Sequence, residues 1–348
     1  MIDARRRRGV LGGLLVLFLV TLAWSATIGG VPIPVSDVFR AVFAKVGLSA
    51  DVDATTASVL FGIRAPRLVL GVLVGAALAM SGAALQGLFR NALADPALLG
   101  ISSGAALGAV SAIVLGASIA SALPAWLAPY LLPTIAFVGA MASMVVVQRI
   151  ARDGFRTAVS MLLLAGIAIN ALCQATMGLL VYTATDAQLR NITFWNLGSL
   201  GGATWGAVWS AGPFLVIALV ALPRFARSLD AIVLGEAEAG HLGFSVERVK
   251  RVVFAIVALA VGASVAVSGI LGFVGLVVPH LLRLALGPSH RTLIVAAGLC
   301  GASLLLLADA FARTVVAPAE LPLGIVTAAI GTPFFLALLL REKRTRTA

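Results

Sequence analysis

Residues 64–108 read RAPRLVLGVLVGAALAMSGAALQGLFRNALADPALLGISSGAALG, and this pattern decides the fold. Two arginines, Arg64 and Arg67, open the stretch. An uncharged run of Gly, Ala and Leu follows, and a helical crossing of a bilayer needs roughly 20 such residues. The polar break QGLFRNALADP closes the run before a second apolar stretch begins. The rest of the chain repeats this alternation. Of its 348 residues 61% are hydrophobic and 11% charged, with a mean hydropathy of +1.08. An average soluble domain carries about 25% charged residues. A soluble chain of this length has no interior large enough for so much apolar surface. The bilayer is therefore its solvent, and backbone groups in lipid must bond internally, in helices or a closed barrel. Barrel strands alternate apolar and polar residues; these runs are continuous. The fold class read from the sequence is all-α, a polytopic membrane protein.

We count ten spans, near residues 9–29, 65–87, 94–116, 123–149, 158–184, 204–223, 250–270, 273–287, 292–314 and 321–341. The eighth is short and interrupted by Pro279. The first follows Arg5–Arg8, and its apolar run from Val10 to Gly30 is longer than a signal-peptide core, so it reads as an uncleaved helix. Placing both termini in the cytoplasm puts nineteen of the 25 Lys and Arg residues on the cytoplasmic side. Only Arg40, Lys45, Arg64, Arg67, Arg190 and Arg313 fall outside, an asymmetry that meets the positive-inside rule. The chain reads as one transmembrane domain, 1–348, with halves near 60–200 and 245–341 and a connection at 223–251. RAPR…AMSGAALQG in the first half is echoed by RVKR…AVSGILGFVG in the second, with Ser81-Gly82 and Ser268-Gly269 at matching places. Span two runs inward and span seven outward, so the repeat is inverted, as in many transporters.

Charge and motif exclude several classes. The net charge of +11 sits at span ends and forms no basic domain, so no nucleic-acid partner is expected. Cys173 and Cys300 lie in apolar runs and imply neither a disulfide nor a metal framework. His241, His280 and His290 lie in or beside loops, in no metal-binding pattern, and no cofactor is expected. No GxxxxGK[ST] loop occurs to hold ATP, and no catalytic cluster is visible. Acidic residues are scarce in the spans; Asp309 pairs with Arg313 at helical spacing of four. An ion-coupled carrier keeps acidic or His relays near mid-membrane, so the energy source is external. An ion-coupled secondary transporter acting alone is the rival from another class.

Three motifs carry a family resemblance: the 64–108 stretch, GFVGLVVPHLLRLALGPSHR at 272–291, and ADAFARTVVAPAELPLGIVTA at 308–328. In this order they resemble the permeases of bacterial ABC importers for iron chelates, haem and cobalamin, over nearly the whole chain. One departure is Asn91-Ala92-Leu93-Ala94-Asp95-Pro96, where many members have NPLADP. The resemblance implies a homodimer with the pathway along its axis, two ATP-binding cassette subunits, a periplasmic substrate-binding protein and residence in the bacterial inner membrane, surrounded by lipid. The chain itself performs no chemistry.

The resemblance also suggests sites. Residues 223–251 read PRFARSLDAIVLGEAEAGHLGFSVERVKR, and two short helices, Leu229–Leu234 and Glu236–Leu242, break at Gly235. By itself this is a solvated connector; in the resembled family it docks on the ATPase, with Glu236, Glu238 and Leu242 as contacts. Arg64, Arg67 and Arg313 are either head-group snorkels or, by the family's R-x-P-R and A-D-x-x-A-R motifs, docking residues for glutamates of the binding protein. Asn170, Gln174 and Met177 fall at spacings of four and three, bordered by Cys173. They either bond neighbouring helices or, as the resemblance implies, line the pathway with Arg190 at its outer mouth. The form DAQLRNITFWNLGSL at 186–200 looks most like haem-type members. Haem is therefore the first cargo, then a ferric siderophore, then cobalamin; Arg190 would attract a propionate and Met177 or Tyr182 touch the ring.

Overall fold

The computed structural model describes residues 4–29, 33–45, 47, 53–116, 121–153, 156–157 and 159–347. Fifteen α-helices with defined bounds follow in chain order among these residues. They are α1 (Ala4–Thr27), α2 (Val35–Lys45), α3 (Ala54–Ser58), α4 (Ala65–Leu88), α5 (Ile101–Leu115), α6 (Leu131–Ile150), α7 (Val159–Tyr182) and α8 (Asp186–Asn196). Then come α9 (Trp205–Ala221), α10 (Ala226–Leu234), α11 (Glu236–His241), α12 (Val246–Ser268), α13 (Val274–Leu286), α14 (His290–Thr314) and α15 (Leu323–Thr347). The β-structure among the described residues is one two-residue pairing, Arg152–Asp153 with Arg156–Thr157. Among the described residues seven helices are long and apolar enough to cross a bilayer, and three shorter apolar ones, Ile101–Leu115, Val274–Leu286 and Leu323–Leu338, fall at the remaining three of the ten positions read from the sequence.

Three boundaries differ from expectation, each for a local reason. Span two starts earlier: α3 runs through a π-helical turn at Val59–Arg64 into α4, so Ala54–Leu88 is one continuous helix. Arg64 and Arg67 therefore lie within a helix rather than at its mouth. Span three starts later, at Ile101. The Asp95 carboxylate accepts from the Ala97 N–H at 2.7 Å, capping a 3₁₀ turn at Pro96–Leu99, and Gly100 turns left-handed at φ 78°. Pro279 does not interrupt span eight, because α13 runs through it. A proline cannot bond the carbonyl four residues back, here that of Gly275. That carbonyl faces Gly82 of α4, where any Cβ would overlap it. The proline frees a carbonyl and the glycine receives it at backbone distance.

The core is built on three helices. The most apolar windows of Ala54–Leu88, Val246–Ser268 and His290–Thr314 are 78%, 72% and 72% buried, against 17% for Arg7–Thr27 and 22% for Ser160–Tyr182. α4 packs most extensively on α14 and also meets α9, α12 and α13. Gly75 and Gly301 face each other across the α4–α14 contact, and a Cβ on either would overlap the other's carbonyl. Gly104 and Gly139 repeat the arrangement between α5 and α6. In lipid no hydrophobic force separates helix from solvent, so close backbone approach at small residues drives association. The two Ser-Gly echoes differ locally: α4 continues through Ser81-Gly82, whereas α12 stops at Ser268 and Gly269 turns at φ 67°.

Candidate coupling and docking faces

The three arginines at one end of the bundle are not exposed forks. Arg64, Arg67 and Arg313 are 4%, 9% and 9% exposed. Arg67 holds two carboxylates at once, Asp309 at 2.9 Å and Glu320 at 2.8 Å. Arg313 meets Asp309 at 3.1 Å, confirming the spacing-based pair. Both Arg64 and Arg313 turn to the C-terminal end of α1. Arg64 donates to the Ala26 carbonyl, and Arg313 to the carbonyls of Ile28 at 2.8 Å and Ser25 at 3.3 Å and to the Ser25 hydroxyl at 2.9 Å. The last carbonyls of a helix have no internal donor and carry partial negative charge, so these guanidinium groups cap α1. Asp309, 2% exposed, lies between Arg67 and Arg313 and offsets their repulsion. Glu320 sits in the loop after α14. Its hydrogen bond from Arg67 holds its carboxyl below the usual glutamate range, outweighing the opposing push of partial burial.

The stripe expected along α7 divides. Cys173 and Met177 are 5% and 7% exposed, and Met177 packs on Ala106, Val110 and Ile192 of α5 and α8. Asn170 Nδ2 donates to the Ala97 carbonyl at 3.4 Å, tying α7 to the turn before α5. Met177 thus lies inside the interface of α7 with α5 and α8. Gln174 and Arg190 are exposed, as is Tyr182 at 90%. The reason is angular. At 100° per residue Asn170, Cys173 and Met177 centre on the packed side of α7, and Gln174 sits at its edge. The open side carries Leu164, Ala171, Ala175, Gly178 and Tyr182.

The connection at 226–243 forms two helices broken at Gly235, as expected, with Gly235 at φ 147°. α10 is amphipathic and buries Leu229 and Ile232 completely. α11 buries only Ala239. Around it Leu234 is 70% and Leu242 62% exposed, two apolar side chains flanking a short acidic helix. Glu238 and His241 are also exposed. Glu236 is exposed too, at 48%, but it also pairs inward: Lys250, 2% exposed, donates to it at 2.8 Å and to Glu247 at 3.2 Å. On the inner side of α10, Asp230 accepts from the backbone N–H of His290 at 2.7 Å and meets its ring Nδ1 at 2.8 Å.

The profile of the FecCD transport family matches residues 15–341. The chain belongs to this family. It is 43% identical to the hemin transport system permease of Yersinia pestis over 340 residues, 98% of each chain. It is 40% identical to a cobalamin import system permease of Halobacterium salinarum, covering 91% of this chain and 82% of that one. A vitamin B12 permease of Klebsiella pneumoniae is 39% identical over 346 residues, 98% of this chain and 96% of that one. Among solved structures, a metal-chelate type ABC transporter in an inward-facing conformation superposes with a TM-score of 0.82 at 31% identity, covering 96% of this chain and 99% of that one. The FecCD chain is thus an ABC importer permease, a multi-pass membrane subunit whose class works with ATPase and substrate-binding partners.

Sequence reading of this FecCD permease missed the ion pairs Arg67–Glu320 and Lys250–Glu236, whose partners lie 253 and 14 residues apart, whereas Asp309–Arg313 carried a local signal at a spacing of four. His280, read as loop-borne, lies within α13 with Phe334 against its ring at 6.2 Å. His290 begins α14, fully buried.

Proposed function

We propose that this permease moves haem inward across the bacterial inner membrane, driven by ATP hydrolysed on a separate subunit. The observation that carries the cargo is likeness at 43% identity over 98% of both chains to a hemin permease. The haem-like form at 186–200 supports it, with exposed Arg190 and Tyr182 available for a propionate and a ring face. The working unit is a homodimer in lipid, joined around the pathway beside the open face of α7, with Gln174 at its edge. Asn170, Cys173 and Met177 support that face from behind. Both chain termini are cytoplasmic.

The exposed α11 and its flanking leucines form the ATPase contact, with Glu238 and Leu242 as contact residues. Glu236 contributes by setting the helix on Lys250. The end bearing Arg64, Arg67 and Arg313 receives the substrate-binding protein. Its arginines shape that surface by capping α1 and ordering the loop that carries Glu320.

The test of cargo is growth of an iron-starved deletion strain on haemin, a ferric siderophore or cobalamin-dependent medium. Loss of growth on haemin alone supports the reading. A ferric-siderophore or cobalamin permease is the second reading, favoured by 40% identity to a cobalamin permease. Loss on either of those media, with haemin growth intact, rejects haem and leaves the importer standing.

A further inference from the structure

The cytoplasmic segment must be joined to the spans by something that does not slacken. Residues 226–243 are tied by apolar packing and by two polar tethers, Glu236–Lys250 and Asp230–His290. The first is a pair of long side chains, with Glu236 48% exposed. The second is short and rigid. Asp230 takes both the backbone N–H and the ring nitrogen of His290, at 2.7 Å and 2.8 Å, and its second oxygen meets the Ser289 hydroxyl at 3.4 Å. The His290 side chain is 0% exposed. Its far edge, Nε2, has no hydrogen-bond partner and bears directly on Gly87 of α4, where a Cβ would overlap the ring. Next along α4, Gln86 donates to the Leu276 carbonyl of α13 at 3.1 Å. Carboxylate, imidazole and glycine thus stand in line from α10, through the start of α14, to the end of α4.

We propose that Asp230 and His290 form a strut that transmits displacement of the coupling segment into α4 and α14. This rests on the reading of α11 as the ATPase contact. An imidazole has two torsions and a planar ring, so a push on Asp230 reaches the α4 backbone without being absorbed by rotamer changes. The absence of a side chain at Gly87 lets the ring reach that backbone. A clamp that merely holds α10 would need the hydrogen bonds to Asp230 and no contact with α4. Asp230 also lines a cavity of about 570 Å³ with Arg7, Val233 and Leu234, so its carboxylate is open to solvent on the side away from His290.

The experiment uses the full chain assembled with its ATPase subunit in nanodiscs, with Cys173→Ala and Cys300→Ala as background. Spin labels go on Asp186→Cys and Val316→Cys, two exposed positions outside the strut. ATP is expected to shift the distance between them in the background. His290→Asn keeps an N–H for Asp230 but withdraws the ring from Gly87. Asp230→Ala removes the push itself. Both are expected to retain the ATPase subunit and hydrolyse ATP, while the population of the ATP-induced distance falls at least about tenfold. A background-like shift in His290→Asn overturns the strut and leaves a clamp. Loss of assembly in both variants also overturns it, since the pair is then a folding lock. Leu242→Glu is the separate control: undiminished ATPase retention there rejects the coupling face and leaves the label response of His290→Asn interpretable.

Discussion

At the scale of single residues, the structure turns on where a side chain is absent and where a charge is held. Gly82 lies against the Gly275 carbonyl, to which Pro279 has no N–H to donate. Gly82→Ala is expected to cost about 1–3 kcal/mol, the usual range for overpacking a filled interface. Gly178 is the contrast, with no atom within 4 Å of the place an added methyl group would take, and Gly178→Ala is expected to be neutral or stabilising. Thermal unfolding in detergent separates the two, and equal melting temperatures would reject the Gly82–Gly275 contact. Glu320 gives a pH signature. Its pKa is depressed in the folded state by Arg67, so its contribution is complete above the unfolded value and disappears as pH falls through the folded one. The melting-temperature gap between the wild type and Glu320→Gln is therefore expected to be constant above about pH 5 and to narrow below about pH 4. A gap that widens on acidification would contradict the pairing.

At the scale of elements, short helices carry what long ones do not. α11 spans six residues and buries one, and the leucines that flank it, Leu234 and Leu242, are exposed with no apolar neighbour among the described residues covering them. Leu242→Glu is expected to reduce co-purification of the ATPase subunit by at least tenfold, about 1.4 kcal/mol of lost contact, without lowering the melting temperature. Exchange of Glu236 for Arg is a poor probe of the same face, since it sets a cation against buried Lys250. Expected loss of thermal stability in Glu236→Arg, and its retention in Glu238→Arg, would distinguish the inward carboxylate from the outward one. The break at Gly235 was legible in sequence because a residue at φ 147° has to be glycine. The capping box of α8, Thr185 with Gln188, carries an equally local signal that a reading by spans passed over.

At the scale of the molecule, α4 and α14 form a buried pair around which the other helices gather, and α1 and α7 remain at the margin. The arginine cluster and α11 occupy opposite ends if the spans alternate as their Lys and Arg residues direct. Single cysteines at Leu242 and Ala319, in a background without Cys173 and Cys300, test this arrangement in intact cells. An impermeant maleimide is expected to label Ala319→Cys before lysis and Leu242→Cys only after it. Labelling of both before lysis would break the alternation. The outward faces of α7 and α1 are apolar as well as exposed, so the buried share of these helices is low without any loss of hydropathy.

The sequence by itself determined the class, the ten apolar segments, the family motifs and the joint at Gly235. Each of these follows from hydropathy over a helix length, from charge at span ends, or from a torsion that one residue type permits, and all three are local quantities. Tertiary structure decided the meaning of the side chains. Arg67 lies 253 residues from Glu320 in sequence, and Asp230 lies 60 from His290, yet each pair is in direct contact. The same type of residue, arginine at a span end, reads identically whether it faces solvent or caps another helix. Only the packing of α1 against α14 places carbonyls within reach of Arg313. Periodicity placed Asn170, Gln174 and Met177 on one stripe bordered by Cys173, yet the structure buries Cys173 and Met177 and leaves Gln174 exposed, because periodicity carries no information on which neighbour a stripe meets. The direction of a stripe is set by the helices packed around it, and these come from distant parts of the chain.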